Sequence, residues 1–428
     1  MGDTLERIAG YIDGLHIVDT HEHLPGTEAD RNTHTDVLEE YLYHYMSSDL
    51  RSAGLSMAEL AFARNHHKPL MERWAVIEQA WEHSRHTGYG RALDLSVRRL
   101  YGIDGVRGAT LEELDAAFQK SLQPGTYQRV LKDTCRIAIS LLDNVLEGSG
   151  AWDPAFFVPV VRLDDYIWPR SLQMVEACER EAGHRLRTLD DWAEACTARL
   201  EKARAEGAVA IKVGLAYQRS LAFGRPASNQ AEESLSALLA ARHWPDWDER
   251  PIEVAQNYQN WMMHHVLGLA ARQGMPVQIH TGLLEGNGNL IANSDPTLLN
   301  PLFLEYPDVN FDLFHIGYPY QHVLSALAKM FPNVYIDMCW AHIISPTASV
   351  RALEEWLDSV PVNKIMGFGG DYCLVDGVYG HQAMARENIA RALNTKVQEG
   401  VFDVDRACEI ARLLLVTNPA TLFGLKLS

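Results

Sequence analysis

"DTHEHLPG" (residues 19–26) follows directly on the apolar run "LHIV" (15–18). In a strand, residues i and i+2 point to the same face, so His21 and His23 project together at the strand's end, just before a Pro-Gly turn. Two neutral imidazoles side by side read either as packing on a half-buried strand or as half of a metal site. What stands at the ends of the other strands decides between these readings.

Working outward, short β-rich apolar runs recur, each followed by helical sequence. They are "LHIVDTH" (15–21), "CRIAISLL" (135–142), "FFVPVVRL" (156–163), "AVAIKVGL" (208–215), "PVQIHTG" (276–282), "NFDLFHIG" (310–317), "VYIDMCW" (334–340) and "KIMGFGGD" (364–371). Near-continuous apolarity suits strands covered on both faces by helices. Helical stretches lie between them, such as "VAQNYQNWMMHHVLGLAARQG" with Gly274 as its stop signal. Eight such units predict an α/β fold, a distorted TIM (β/α)8 barrel, with reactive groups at the C-terminal strand ends. The barrel domain is expected over 1–24 and 133–428. Residues 25–132 are too long for a loop and read as mostly helical, a cap inserted after the first strand. A second insertion, about 219–253, is rich in Arg, Ser, Pro and Trp and reads as a lid wall.

Composition narrows the class. The 428 residues carry 38 Lys+Arg against 56 Asp+Glu, a formal charge of −18, which repels phosphate backbones and argues against nucleic-acid binding. No apolar run is long enough for a signal peptide or a membrane span. The six cysteines form no Cys-x-x-Cys pair, and several lie in apolar runs as buried thiols. A cytoplasmic protein acting on a small molecule is expected, with no membrane and no nucleic-acid partner. Homo-oligomer formation is left open.

The polar residues near the strand ends are His21, His23, Lys212, His280, His315 and Asp371. Each alone has a structural explanation: a packed histidine, a rim ion pair, or a helix cap. Together, at the one mouth where barrel strands converge, four imidazoles, an ammonium and a carboxylate are costly without a partner ion. Histidines plus a carboxylate with an open position is the arrangement of a hydrolytic metal centre. His21 and His23 therefore read as metal ligands.

The order His-x-His, Lys, His, His, Asp on successive strands resembles the amidohydrolase superfamily. "IHTG", "FHIGYPY", "NVYIDM" and "NPATLFGL" resemble its amidohydrolase family 2 branch, and the helical insertion is distantly similar to that of uronate isomerases. The resemblance implies that His21, His23, His280 and Asp371 bind the metal. Asp371, His315 and Lys212 would be catalytic, with Asp371 and His315 exchanging protons. It implies one divalent ion, zinc by preference. The two-metal relatives imply an alternative, in which carbamylated Lys212 bridges a second ion and His315 becomes a ligand. Arg219, Tyr217 and Trp340 are candidates for substrate contact. Glu22 points away by strand alternation, Arg386 reads as structural, and "EGNGN" (285–289) as a mobile mouth loop.

The expected activity is metal-dependent hydrolysis, by an activated water, of a C–O or C–N bond in a small carboxylate-bearing substrate. Uronate-type aldose–ketose isomerisation or non-oxidative decarboxylation on the same site is the alternative. A non-catalytic binding barrel fits less well, because it has no need of so complete a ligand set.

Overall fold

The computed structural model describes residues 2–145, 150–240 and 252–427. All eight apolar runs contain strand. These are β1 (Ile17–Glu22), β2 (Ile137–Leu142), β3 (Phe157–Pro159), β4 (Val161–Arg162), β5 (Ile211–Val213), β6 (Val277–Ile279), β7 (Phe311–Leu313), β8 (Val334–Asp337) and β9 (Ile365–Met366). The third run is divided at Val160 into β3 and β4. The order is β1-β2-β3 in one sheet and β4 to β9 in the other, every pair parallel.

Backbone hydrogen bonds tie the two sheets together at their edges. Between β3 and β4, Val160 N donates to Leu142 O of β2 while Val161 N donates to Ala210 O beside β5. On the other side, Thr20 N donates to Phe368 O and Asp371 N to His21 O. Helices follow the strands as the sequence predicts, and the chain is an α/β protein of the TIM-barrel type. Gly274, in the left-handed region at φ 62°, ends the helix Ile252–Gln273. That conformation is cheap only without a Cβ.

The barrel interior is more polar than the runs suggest. Lys212, Gln278 and Asp312 are lateral neighbours in register, all buried. Gln278 Nε2 reaches across to Thr20 O at 3.0 Å. Burial pushes Asp312 and Asp337 above the usual carboxylate range, and for Asp312 the neighbouring Asp337 carboxylate adds to the rise.

Between β1 and β2 the chain is helical, with Val37–Tyr41, Tyr45–Ser52, Met57–Arg64, Leu70–Ser84, Gly88–Ser96 and Leu111–Ser121. The first two of these are separated at His44, whose φ of 68° and ψ of −137° no helix accommodates. Of these, Gly88–Ser96 packs along the helix that follows β9, Val375–Gln398. Tyr41 and Tyr101 hydroxyls donate to Asp376 at 2.6 and 2.8 Å. Gly380 allows the backbones to approach: a Cβ there would stand 2.0 Å from Ala92 O. Gly380→Ala is expected to cost about 1–3 kcal/mol through this overpacking. The loss would be read as a lower urea midpoint, and an unchanged midpoint would contradict the close crossing.

Of the second insertion, residues 228–240 are helical, while 241–251 lie outside the described residues. Among the described residues no helix is long and apolar enough to cross a membrane.

Candidate metal centre

β1 ends the construction where it began. His21 is its penultimate residue and His23 follows its end, both directed toward the C-terminal mouth, with ring centroids 4.8 Å apart. His21 is fully buried, and neither of its ring nitrogens has a hydrogen-bond partner. Its Nε2 lies 3.6 Å from Asp143 Oδ2 and 4.0 Å from Asp371 Oδ1, while His23 Nε2 lies 3.0 Å from the same Asp371 oxygen. Two donor atoms each about 2.1 Å from one ion stand about 3.0 Å apart at 90° and about 3.6 Å apart at 120°. The 3.6 and 4.0 Å spacings from His21 are too long for direct hydrogen bonds and suit common ligation, while 3.0 Å between His23 and Asp371 fits a shared ion or a hydrogen bond.

Tautomers point the same way. A backbone carbonyl only accepts, so a ring nitrogen bonded to one must carry the hydrogen. His23 Nδ1 donates to Asp143 O at 2.9 Å, His280 Nε2 to Leu283 O at 2.7 Å, and His315 Nδ1 to Cys339 O at 3.0 Å. Each ring is left with one bare nitrogen facing the site, the arrangement usual in metal-binding histidines. His280 Nδ1 and His315 Nε2 then meet at 2.9 Å as two lone pairs, which is repulsive unless a cation stands between them. Burial holds His280 well below its ordinary value and His315 down to about 4.

Asp371 joins the two groups. Its Oδ1 faces the β1 pair and its Oδ2 lies 3.9 Å from His315 Nε2. Burial alone would raise this carboxyl, but His23, His315 and His21 outweigh it and hold it well below the usual range. For His23 burial lowers and Asp371 raises, and the carboxylate prevails.

The turn that carries Asp371 rests on acids within the barrel. Asp19 Oδ1 accepts from Gly370 N at 2.9 Å and Glu22 Oε2 from Tyr372 N at 3.0 Å. A Cβ on Gly370 would fall 1.5 Å from Glu22 Oε1. Glu22 thus supports the turn that carries Asp371, and β1 shifts its register against β2 between Asp19 and Glu22. Asp371, His315 and Trp340 all have positive φ (56°, 67° and 60°). Such conformations are uncommon outside glycine and concentrate at functional sites.

The remaining predicted residues divide. Lys212 is buried at this level, its Nζ 3.8 Å from the Phe314 ring centroid, and burial lowers its pKa. Tyr217 packs 4.8 Å from the His280 ring, and its hydroxyl accepts from Glu285 N. Trp340 stands edge-on to His315 at 5.2 Å and stacks on Tyr45 at 4.6 Å.

Arg219 departs from expectation. Its donors go to Ser220 O, Gln259 Oε1, Ala222 O and Asn260 Oδ1, so it braces the helix Ile252–Gln273 and little of its fork remains for a substrate. His280 also differs from the ligand set read in the sequence, since its close partner is His315 rather than the β1 pair. The 285–289 loop is tied down, Asn287 Nδ2 donating to Ser48 O and Ser52 Oγ.

Sequence reasoning missed Asp143, Arg162 and the aromatic Tyr45. Asp143 stands one residue past the run "CRIAISLL", at a strand end like the others, and that position was its signal. Arg162 pairs with both Asp143 and Asp164 and, with His23 and His21, outweighs burial to depress the Asp143 carboxyl. Tyr45 comes from the segment between β1 and β2 and donates its hydroxyl to Asp371 O. No pattern marked it.

A profile described as Amidohydrolase matches residues 171–425. Protein fluG of Emericella nidulans is 27% identical over 192 residues, 44% of this chain but only 21% of that protein's own length. A uronate isomerase of Cutibacterium acnes is 23% identical over an alignment of 451 positions, spanning 96% of this chain and 93% of the isomerase. The crystal structure of a uronate isomerase from Thermotoga maritima superposes with a TM-score of 0.80 at 19% identity, covering 98% of this chain and 97% of that one. With a profile match over more than half its length, the chain belongs to the amidohydrolase family.

Proposed function

We propose that this amidohydrolase-family enzyme is a metal-dependent isomerase of acidic sugars, interconverting an aldose and a ketose at adjacent carbons. The observation that carries the reading is the end-to-end correspondence with a uronate isomerase, which takes in the helical segment between β1 and β2 as well as the barrel. Hydrolysis, expected from the strand-end residues, remains the second reading, favoured by the family profile over 171–425. The first has the wider support.

His21, His23 and Asp371 would hold one divalent ion. Imidazole and carboxylate donors suit zinc, with manganese also accommodated. Such an ion, when bound, supplies Lewis-acid polarisation of a carbonyl.

The chain's own residues would do the rest. Isomerisation moves one proton between neighbouring carbons and a second between their oxygens. The His280 Nδ1–His315 Nε2 pair, 2.9 Å apart, can hold a single proton between two bare nitrogens and exchange it with the substrate. Asp371 Oδ2 stands beside His315 to balance the charge when that proton is present. The Lys212 amine, at the base of the site, would in its charged form steady negative charge developing on oxygen. Trp340 and Tyr217 would exclude water from the wall nearest the two histidines.

The test is incubation with uronates in ²H₂O, followed by NMR. Ketose formation is expected with deuterium entering at C1 of the ketose, and at C2 of the aldose re-formed from it. Hydrolysis of lactones or carboxylate esters without any C2 exchange would overturn the isomerase reading in favour of the second. His315→Ala should lower kcat by about 10²–10⁴-fold, the range for a lost acid–base group, with KM changing far less.

A further inference from the structure

Asp143 combines three relations that a simple ion-pair partner does not need. Its backbone oxygen accepts the His23 Nδ1 hydrogen at 2.9 Å and thereby sets that ring's tautomer. Its amide donates to Glu22 O at 2.9 Å, locking the end of β2 to the end of β1. Its Oδ2 stands 3.6 Å from His21 Nε2, a fully buried nitrogen with no hydrogen-bond partner. One ligand atom from each of His21, His23 and Asp143 falls within a common 4.8 Å. A separation of 3.6 Å is too long for a hydrogen bond and matches two ligands of one ion about 120° apart.

Arg162 explains how an acid can be held ready in so buried a place. Its Nη2 pairs with Asp143 Oδ2 and its Nε lies 3.4 Å from Oδ1. Its Nη1 lies 3.5 Å from Asp164 Oδ2, the oxygen that accepts from Gly214 N just beyond β5. The guanidinium therefore links Asp143 at the end of β2 to Asp164, which holds the end of β5, and fixes the carboxylate's angle. A carboxylate oxygen has more than one lone pair, so accepting from Arg162 leaves Oδ2 free to face His21 as well.

We propose that Asp143 is a ligand of the same metal ion as His21 and His23, and that Arg162 is its positioning residue. The centre then takes two histidines from β1, one carboxylate from the end of β2 and one, Asp371, from beyond β9. This assignment rests on the metal reading of the site and is independent of which reaction the enzyme performs.

The test compares the full-length protein with Asp143→Asn, Arg162→Gln and the double variant, each apo protein titrated with Zn²⁺ against a competing chelator and with Co²⁺ followed by visible absorption. Asp143→Asn is expected to weaken Zn²⁺ binding by more than about 100-fold, beyond the 10–100-fold typical of lost supporting groups, and to change the Co²⁺ d–d bands. Arg162→Gln should weaken binding by about 10-fold while leaving the bands in place.

The double variant removes both members of the ion pair. It should recover the thermal stability that Asp143→Asn loses by stranding Arg162, and still bind Zn²⁺ as poorly as that single variant. Zn²⁺ affinity within about threefold of wild type and an unaltered Co²⁺ spectrum in Asp143→Asn would overturn the proposal and leave Asp143 as Arg162's partner only. Wild-type protein that binds neither ion would overturn it together with the metal reading. Loss of metal in Asp143→Asn from a wild type inactive on uronates would keep the ligand and reject the reaction.

Discussion

His21→Ala/His23→Ala should purify without a bound divalent ion and lose at least about 10³-fold in kcat/KM on whichever substrate the wild type turns over. The magnitude follows from what the two rings provide. His21 offers two buried nitrogens with no partner in the protein, and His23 Nε2 faces Asp371 at 3.0 Å with its other nitrogen already committed to a carbonyl. Removing both leaves Asp371 without the histidine that most depresses its pKa, so carboxylate, ion and polarised substrate are lost together. A Lewis acid is worth several kcal/mol of transition-state stabilisation, and about 1.4 kcal/mol is tenfold in rate. Elemental analysis of protein purified without added metal, alongside steady-state kinetics, checks both halves. Metal retained in the double variant would place the ion elsewhere, and full activity without metal would end the metal reading.

Arg73→Met should cost about 3–5 kcal/mol, the largest stability effect expected of any single substitution considered. Arg73 is 1% exposed and spends its donors on Asp36 Oδ1 at 3.1 Å, Asp36 Oδ2, Ala63 O at 3.0 Å and Lys68 O at 3.1 Å. Asp36 in turn caps the helix Val37–Tyr41 by accepting from Glu39 N. Methionine fills much of the volume but strands a buried carboxylate and two carbonyls, and breaking one side of such a pair is far costlier than lacking it. Arg73→Met/Asp36→Leu should accordingly recover most of the loss, short of about 1 kcal/mol for the missing cap. Urea denaturation followed by circular dichroism distinguishes the cases. A midpoint unmoved by Arg73→Met would mean that the pair contributes nothing to holding the helices between β1 and β2.

Much of the fold was legible in the chain because strands buried on both faces announce themselves as short apolar runs. Every one of the eight runs contains strand, and Gly274 ends its helix as expected. The broken helix at His44 was not legible, since nothing in "YLYHYMSS" forbids continuous helix locally and tertiary packing overrides propensity. The site residues were legible in so far as each stands directly at a strand end. Asp143 was overlooked there by one position, while Tyr45 reaches the centre from about twenty residues beyond the His-x-His pair and carries no local signature.

The sequence by itself determined the parallel α/β architecture, the family, and the convergence of His21, His23, His280, His315, Lys212 and Asp371 on one mouth, because spacing relative to strand ends is a local property. Only the tertiary structure decided how those residues are partnered. It set His280 against His315 rather than with the β1 pair, brought Asp143 to His21 and Arg162 to Asp143, and turned Arg219 onto a helix. The physical reason is that pairing depends on which backbone carbonyls and charges lie within about 3 Å of each side chain, a distance at which hydrogen bonds form. Residues 120, 121 and 350 positions apart in sequence meet at that scale here, and no window along the chain encodes it.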